Sequence, residues 1–338
     1  MPIDLAAGAD ALAALGPAWR AAEAASGSSS VFLTPAFQGA WWRHFGRGRP
    51  LRVAALPAPG AGAAAVLAFA PFFDDGGTWR LLGAPDGPAD VTDYLDVQVP
   101  AGREEEGWRA LAGWLAAQRE WRAVVLDNVP GDSPTLAAAP PALARVGLRF
   151  EADVQARCPV LALPGDFETY LGGLERDARH ELRRKLRRFE RAAPGGGASM
   201  LRRDDAVAAL PDFVRLHRLS GADKARFMTP AMEGFFEEVV RGLASQDRVV
   251  LARLADGDGR PVAALCLFDY RGGWYLYNSG YDPAAARLAP GVVLLARCIE
   301  AACEGGVRVF DFLRGTERYK YDLGARDRLV HRLTITRA

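Results

Sequence analysis

The feature that most constrains the fold of this chain is an order of predicted elements that occurs twice. Residues 51–73 and 247–270 each contain two apolar runs around a turn rich in glycine, which predicts a β-hairpin in each half. The second turn reads A-D-G-D-G at 255–259, a strong hairpin signal. Because a third strand, a helix and an apolar strand follow in both halves, the order β-β-β-α-β is repeated.

The later elements of the two copies also correspond, and the alignment places Asp127 opposite Asp311. Third strands are predicted at 79–83 and 274–280, and helices follow at 107–118 and 290–304. Closing strands are predicted at 122–129 and 307–313. Helical sequence opens each half, at 6–25 and 35–45, and at 206–217 and 230–244. We predict an α/β fold with mixed sheets, built from tandem domains at 1–150 and 151–338. The alternative is chance similarity between ordinary hairpins.

A strongly basic segment lies between the two copies. Apolar residues recur at spacings of three and four from Phe167 to Phe189, which predicts one amphipathic helix near 167–191 at the start of the second domain. The cations of this segment are Arg179, Arg183, Arg184, Lys185, Arg187, Arg188 and Arg191. This face has two interpretations, a solvated helix surface or a site for a polyanion.

The remaining composition excludes several classes of protein. The net charge is +1, so no overall field attracts DNA or an anionic membrane. Residues 53–73 carry no charge, but Pro57, Pro59 and Pro71 would break a membrane-spanning helix. The N-terminus lacks the pattern of a signal peptide, and the four Cys have no C-x-x-C spacing. We therefore expect a cytoplasmic protein without membrane insertion or bound metal.

Several segments together resemble one known family. They are R-R-K-L-R-R-F-E (183–190), L-H-R-L (216–219), Y-N-S-G-Y-D-P-A-A-A-R-L-A-P-G-V-V-L-L (277–295), F-D-F-L-R-G-T-E-R-Y-K (310–320) and, more weakly, F-L-T-P-A-F-Q-G-A-W-W (32–42). The chain resembles the cellulose-biosynthesis-associated (CelD-like) acetyltransferases of the GNAT superfamily, which are related to the Fem-type aminoacyl-tRNA peptidyl transferases. This resemblance implies tandem GNAT-like domains and acyl-CoA, such as acetyl-CoA, as co-substrate.

The segment R-L-A-P-G-V-V-L-L is the candidate cofactor site. In GNAT enzymes a glycine-containing loop opens a helix whose free amides bind the cofactor pyrophosphate, and a helix N-terminus attracts anions in general. The resemblance therefore implies cofactor binding by Arg287, Gly291, Val292 and Val293. The alternative is an ordinary helix that begins at Pro290.

The segment F-D-F-L-R-G-T-E-R-Y-K contains the candidate catalytic residues, Asp311, Glu317, Tyr319 and Lys320. An acid at the end of a strand can act as a base or orient an amine, and a tyrosine can protonate a thiolate leaving group. In the Fem-type relatives an aromatic–Lys pair lies at the transfer site, and Tyr319–Lys320 match it. The alternative is a structural cluster of ion pairs.

Polar residues near other strand ends are candidates for substrate binding. In the second half these are Tyr277, Ser279, Asp282 and Arg314. In the first half they are Asp90 and Tyr94. The aspartates could equally cap turns. We expect His217 to be a packed helix residue rather than a base.

The sequence thus predicts an acyl-CoA-dependent N-acyltransferase. Its acceptor would be an amine, or with less support a hydroxyl, on a small molecule or glycan precursor of envelope or exopolysaccharide biosynthesis. One alternative is a Fem-type transferase that binds aminoacyl-tRNA through the basic helix. The other is a catalytically silent binding or scaffold protein.

Overall fold

The chain passes from one structural unit to a second and then returns to the first. The computed structural model describes residues 14–27, 30–46, 48–60 and 65–338, so residues 6–13 of the first predicted helix lie outside it. The first unit takes in residues up to Ala156 together with Arg328–Ala338, and the second unit is Arg157–Asp327. The sequence-based domains, 1–150 and 151–338, differ in assigning the last residues to the second domain.

The first unit contains the first set of hairpin strands and their helices. Its helices are α1 (Gly16–Ala25), α2 (Pro35–Phe45), α3 (Glu104–Ala117) and α4 (Thr135–Ala144). Its strands are β1 (Leu51–Pro57), β2 (Val66–Asp75), β3 (Thr78–Leu81) and β4 (Ala123–Pro130). The uncharged segment 53–73 therefore supplies residues of the antiparallel strands β1 and β2, as predicted.

The second unit repeats this order after a strand that enters from the first unit, β5 (Leu148–Ala162). Its helices are α5 (Phe167–Gly173), α6 (Arg176–Ala192), α7 (Arg203–Ala208), α8 (Leu210–Leu219), α9 (Ala222–Phe227), α10 (Pro230–Ala244), α11 (Pro290–Glu304) and α12 (Arg318–Asp322). Its strands are β6 (Gly197–Leu201), β7 (Val249–Ala255), β8 (Pro261–Tyr270), β9 (Gly273–Tyr281) and β10 (Val309–Asp311), and β11 (Arg326–Arg337) follows.

The strand pairing confirms the duplication predicted from the sequence. In the first unit β1, β2 and β3 are antiparallel neighbours, and β3 is parallel to β4. In the second unit β7, β8 and β9 are antiparallel, and β9 is parallel to β10. Each parallel pair is bridged by one helix, α3 or α11. The fold is therefore α/β with mixed sheets and two copies of one topology.

A fifth strand lies beside the fourth strand of each copy. In the first unit β11 pairs antiparallel with β4, from Val330 opposite Pro130 to Thr336 opposite Ala123. In the second unit the end of β5 pairs antiparallel with β10, where Val160 is opposite Asp311. The fifth strand of each unit thus comes from the sequence that follows the fourth strand of the other.

The sheet of the second unit carries different packing on its two faces. One face joins apolar residues of β7–β10 to α6 and α11 in a core that includes Leu186, Phe189 and Ile299. On the other face Tyr277 stacks on Phe236 of α10, with ring centroids 5.1 Å apart. Helices therefore cover both faces of this sheet, and its strand ends are left to form a site.

The predicted single helix near 167–191 is two helices. Helix α5 ends at Gly173, Leu174 has an extended backbone, and α6 starts at Arg176. The consecutive glycines Gly172 and Gly173 favour this break because glycine loses more backbone entropy in a helix than other residues. The break lets Leu174 join the same buried core as the apolar stripe of α6.

Several charges in the middle of α6 are paired. Glu181 accepts from Arg184 at 2.7 Å and lies 3.5 Å from Lys185, an i,i+4 pair. Arg183 pairs with Glu168 of α5 at 2.7 Å. By contrast, Arg187 is exposed and has no acidic partner among the described residues. No helix in the described ranges is both long and apolar enough to cross a lipid bilayer.

Candidate functional site

The candidate site begins where β9 continues beyond its parallel neighbour. Strand β10 pairs with β9 over three residues only and ends at Asp311, opposite Tyr275. Strand β9 continues to Tyr281 and has a bulge, because Cys266 pairs with Asn278 while Leu267 pairs with Leu276. Beyond Asn278, β9 therefore has no neighbouring strand on the β10 side among the described residues, and such a strand edge can bind a ligand through its backbone amides.

The bulge is held by a buried histidine. Asn278 Oδ1 accepts the N–H of Ser279 at 3.0 Å and lies 2.9 Å from His217 Nε2, so Nε2 must be the protonated ring nitrogen. Burial, followed by the charge of Lys224, lowers the pKa of His217 to about 4, although the bond to Asn278 acts in the opposite direction. His217 is thus neutral and packed, which supports the expectation that it is not a base.

Close backbone packing fixes the end of β9 against α8. A Cβ added to Gly280 would lie 2.3 Å from the backbone nitrogen of His217, so only glycine allows this approach. Ser220, which follows α8, accepts the N–H of Tyr281 at 2.8 Å. The strand end therefore has a defined position relative to the helix beneath it.

Helix α11 begins directly above this strand end. Ala289 has a left-handed backbone with φ 51° and ψ 49°, Pro290 is the first helical residue, and no side chain caps the terminus. Val293 N–H donates to Ala289 O at 3.0 Å. The N–H groups of Gly291 and Val292 precede this first bond, so they are free to bind an anion.

Gly291 leaves open space at the helix terminus. A Cβ at this position would meet only the ring of Tyr281, at 4.0 Å. A ligand can therefore approach the backbone of the first turn closely, as predicted for a site that binds a phosphate group.

These elements enclose a cleft of about 280 Å³. Its polar or aromatic walls are Lys224, Ser279, Tyr281, Glu317 and Tyr319, and its remaining lining is Leu265, Leu276, Gly280, Gly291, Val292 and Leu295. The apolar residues lie on β8, β9 and α11, and the polar or aromatic walls lie on α9, at the end of β9 and at the start of α12. Such a cleft combines an apolar floor with a few convergent polar groups, as small-molecule sites generally do.

Glu317, which forms part of the cleft wall, is held in place by the buried side chain of Lys320. Lys320 is 3% exposed, and its Nζ donates to the carbonyls of Arg314 at 3.0 Å and Gly315 at 3.1 Å and to Glu317 at 2.9 Å. Burial acts to raise the pKa of Glu317, but the bond from Lys320 and its charge outweigh burial and lower it. Glu317 is therefore a carboxylate at the cleft wall.

Asp311 has a similar local function. Its side chain is fully buried, and Oδ1 accepts the N–H of Leu313 at 2.8 Å, where Leu313 has a positive φ of 56°. This bond fixes the sharp turn between β10 and the segment that carries Glu317 and Tyr319. Asp311 and Lys320 thus lie beneath the cleft, and neither forms its lining.

Tyr319 is an aromatic wall of the cleft and follows Glu317 by two residues. Its ring contacts Phe312 edge-on, with centroids 6.5 Å apart. Burial, and then the charge of Glu317, raises the pKa of the Tyr319 hydroxyl above its ordinary value. The hydroxyl therefore keeps its proton at neutral pH and can donate it to a stronger base.

Lys224 is a charged cleft residue that the sequence analysis did not identify. It lies on α9, a six-residue helix without an apolar stripe, where only Lys224 and Phe227 are shielded from solvent. Its Nζ donates to the backbone oxygen of Ser279 and to Ser279 Oγ at 3.2 Å. No local pattern marks this lysine, since its position depends on the packing of α9.

The structure brings together some of the predicted site residues. Those that line the cleft are Ser279, Gly291, Val292, Glu317 and Tyr319. Val293 lies in the same helical turn, but its side chain is buried and its N–H is used within the helix. Arg287 is exposed in a short 3₁₀ helix that precedes α11.

Other predicted site residues have partners elsewhere. Tyr277 is stacked between Phe236 and Phe268 on the opposite face of the sheet. Asp282 accepts the N–H of Ala284 and pairs with Arg260 at 2.9 Å, so it caps a turn.

Three further predicted positions also lie outside the lining. Arg314 contributes its carbonyl to Lys320. Asp90 and Tyr94 belong to the first unit, whereas the cleft is built from the second unit alone.

The corresponding helix of the first unit is unsuited to anion binding. Helix α3 begins with Glu104, Glu105 and Glu106, whose charges would repel a phosphate. Gly107 is packed so closely that an added Cβ would lie 2.3 Å from Val99 Cγ1. Asp127, which aligns with Asp311, is buried between Arg80 and Arg332 at 2.6 and 2.8 Å.

Comparison with known proteins places this geometry in a structural class. Residues 176–321 match the family described as acetyltransferase (GNAT) domain, which covers the whole cleft. No curated protein sequence matches the chain.

Three solved structures share the fold over nearly the full length. The crystal structure of FemX is 11% identical and has a TM-score of 0.65, with 97% of this chain and 96% of FemX covered. L-PGS from Bacillus licheniformis is 13% identical with a TM-score of 0.58, and 100% and 94% are covered. A conserved protein of unknown function from Bacteroides thetaiotaomicron is 10% identical with a TM-score of 0.59, and both chains are fully covered, at 100% each. The chain therefore contains a GNAT acetyltransferase-like domain in its second unit, within a mixed α/β fold that it shares with FemX and L-PGS.

Proposed function

We propose that the second unit transfers an acyl group from acyl-coenzyme A, such as acetyl-CoA, to a small-molecule acceptor. The observation that carries this proposal is the cleft of about 280 Å³ that lies between the unpaired edge of β9 and the uncapped N-terminus of α11. Coenzyme A has the complementary chemistry, since its pyrophosphate suits a helix N-terminus and its pantetheine amides suit a strand edge.

The residues of the first helical turn would hold the donor. The N–H groups of Gly291 and Val292 point out of the helix start, and the space above Gly291 is open. Arg287, in the exposed turn that precedes the helix, adds a positive charge for the outer phosphates. The acidic start of α3 in the first unit supports one donor site per chain rather than two.

The residues beyond the strand end would serve the transfer. Tyr319 retains its proton and donates it to the departing thiolate. Glu317 attracts the acceptor electrostatically, because its carboxylate forms part of the wall. Asp311 and Lys320 hold the turn that positions both residues, and we assign them positioning roles.

An aminoacyl-tRNA donor, as in the Fem-type transferases that the sequence resembles, has one observation in its favour. Helix α6 presents Arg187 without an acidic partner among the described residues, and Arg191 donates only to the carbonyl of Arg187. Such free cations could contact phosphates of a nucleic acid. The preceding cations of the same helix, Arg183, Arg184 and Lys185, are paired with Glu168 of α5 or Glu181 of α6, so we rank this donor second.

Calorimetric titration with coenzyme A tests the proposal. The wild-type protein should bind, and Gly291→Glu should weaken binding about tenfold or more, or about 1.4 kcal/mol, since the carboxylate crowds and repels the pyrophosphate. Gly113→Glu is the matched control, because Gly113 is an exposed helical glycine of α3 with nothing within 4 Å of an added Cβ. Equal affinity of wild type and Gly291→Glu, with unchanged circular dichroism, would reject the site.

A further inference from the structure

The cleft contains a cation whose chemistry the proposed function does not yet use. Lys224 is partly buried, and it is one of only three lysines among the 42 Lys and Arg residues of the chain, with Lys185 and Lys320. Arginine is effectively always charged, whereas a lysine can lose its proton when it is buried. The chain therefore places one of its few amines at a point where an arginine would serve equally well for charge alone.

The packing of helix α9 places the amine of Lys224 in the wall of the cleft. Phe227 anchors the helix through its ring, which lies 5.8 Å from that of His217 and 6.3 Å from that of Phe236. Arg218 also donates to the carbonyl of Met228 at 2.8 Å, immediately after the helix. These contacts hold Lys224 over the carboxyl end of β9.

The hydrogen bonds of Lys224 leave one position on its nitrogen for a ligand. Nζ has two acceptors on one residue, the backbone oxygen and the hydroxyl of Ser279. A neutral amine has two N–H groups and one lone pair, so these acceptors satisfy both N–H groups and the lone pair is left for the cleft. Among the described residues, no carboxylate forms an ion pair with Lys224 Nζ. Glu317, which also lines the cleft, is paired with Lys320 instead.

The surroundings make it easier to remove a proton from Lys224 than from an exposed lysine. The titratable groups that face Lys224 are Glu317 and Tyr319 from the segment at α12 and His217 from α8. Burial lowers the pKa of Lys224, and the charge of Glu317 offsets this only in part. His217 is neutral and Tyr319 is protonated, so neither adds a negative charge that would retain the ammonium.

We propose that Lys224 is the general base of the transfer reaction and that the acceptor is accordingly a primary amine; this inference rests on the proposed function. The acceptor ammonium gives one proton to the Lys224 lone pair, and its own freed lone pair forms the C–N bond at the thioester carbonyl as the C–S bond breaks. Tyr319 protonates the thiolate and regains a proton from the acylated nitrogen. Lys224 then releases its proton to water. We expect an amine rather than an alcohol because the ammonium form of an amine is far more acidic than an alcohol and gives its proton to Lys224 more readily.

The first test observes Lys224 without any acceptor. Protein labelled with ¹³C at the lysine Cε should give signals that Lys224→Arg and Lys185→Arg assign by the disappearance of one each. Lys224 should titrate at lower pH than Lys185, which is paired with Glu181 on the surface of α6. Titration of Lys224 at the same pH as Lys185, or higher, would overturn the proposal.

The second test measures thiol release from acetyl-CoA with a panel of primary amines and matched alcohols. Lys224→Arg keeps a cation and Lys224→Met keeps the length of the side chain, and both should lower kcat about 100-fold or more with amines and remove the acidic limb of the pH profile. Lys185→Arg is the control and should behave as wild type. Full activity of Lys224→Arg, or preference for alcohols, would overturn the inference.

Calorimetry separates the two proposals. If the wild-type protein fails to bind coenzyme A, the proposed function itself is wrong. If coenzyme A binds to wild type and to Lys224→Met with similar affinity while both variants remain active, only the assignment of Lys224 is wrong.

Discussion

Acidification should destabilise the second unit through one buried imidazole, His217. The residue is 1% exposed, and burial together with nearby Lys224 holds its pKa at about 4 instead of 6.5. Below pH 6.5 the imidazole of His217 is therefore protonated in the unfolded chain, whereas in the folded protein it stays neutral until about pH 4. Because the unfolded state binds more protons in this range, stability is fully present above pH 6.5 and is lost as the pH falls.

The size of the effect follows from the two pKa values. A difference from 6.5 to about 4 corresponds to about 3.4 kcal/mol in total, of which about 2 kcal/mol falls between pH 7 and pH 5. The comparison variant is His217→Gln, whose amide nitrogen can still donate to Asn278 but does not titrate. Groups elsewhere in the chain contribute equally to both proteins and cancel in the difference.

Urea unfolding followed by far-ultraviolet circular dichroism at pH 7, 6 and 5 measures this difference. The free energy of unfolding of wild type minus that of His217→Gln should fall by about 2 kcal/mol over this range. A constant difference across the three pH values would refute the reasoning, since it would mean that the imidazole titrates alike in both states.

Two further substitutions test other parts of the structure. Burial raises the pKa of Asp96 in the first unit from 3.8 to about 6, so the stability that Asp96 contributes is lost as the pH rises. In the same unfolding assay, the free energy of unfolding of wild type minus that of Asp96→Asn should fall by about 2 kcal/mol between pH 4 and pH 6.5. A rise in this difference would contradict the assignment. Replacing the α6 cations Arg183, Arg184, Arg187 and Arg188 by Gln should change coenzyme A affinity little in calorimetry. Tight tRNA binding by wild type, with a log–log salt slope of roughly −0.7 to −0.9 per contact that the variant loses, would instead favour the Fem-type donor.

The sequence predicted the elements that have strong local signals. The predicted bounds of the helices at 35–45, 230–244 and 290–304 are confirmed. These bounds were predictable because each helix begins with a proline at its first position and continues with an apolar stripe. The strand order was readable since each hairpin carries its own turn. The helix near 167–191 was predicted without its break, because the periodicity of apolar residues continues across Gly172–Gly173.

The site was harder to predict than the fold. Gly291 and Tyr319 reach the cleft because each follows directly from a strand end or a helix start whose position the topology sets. Asp311 and Lys320 have the right residue types near the right strand end, but both bind backbone groups of a tight turn that the sequence does not reveal, and Lys320 also pairs with Glu317. Lys224 reaches the cleft through tertiary packing of a short exposed helix, which leaves no periodic signal.

The passage of the chain between the two units has a consequence for folding during synthesis. Residues 330–336 supply the strand beside β4, yet they follow the whole of the second unit in chain order. Domains of large proteins generally fold as units from the N-terminus while the ribosome is still adding residues. Here the N-terminal unit lacks its fifth strand until residues 330–336 have been added, so the edge of β4 stays unpaired while the second unit is made. A ribosome-bound chain that stops before β11 would expose this edge to chaperones or to other chains, whereas the second unit already holds its own borrowed strand, the end of β5.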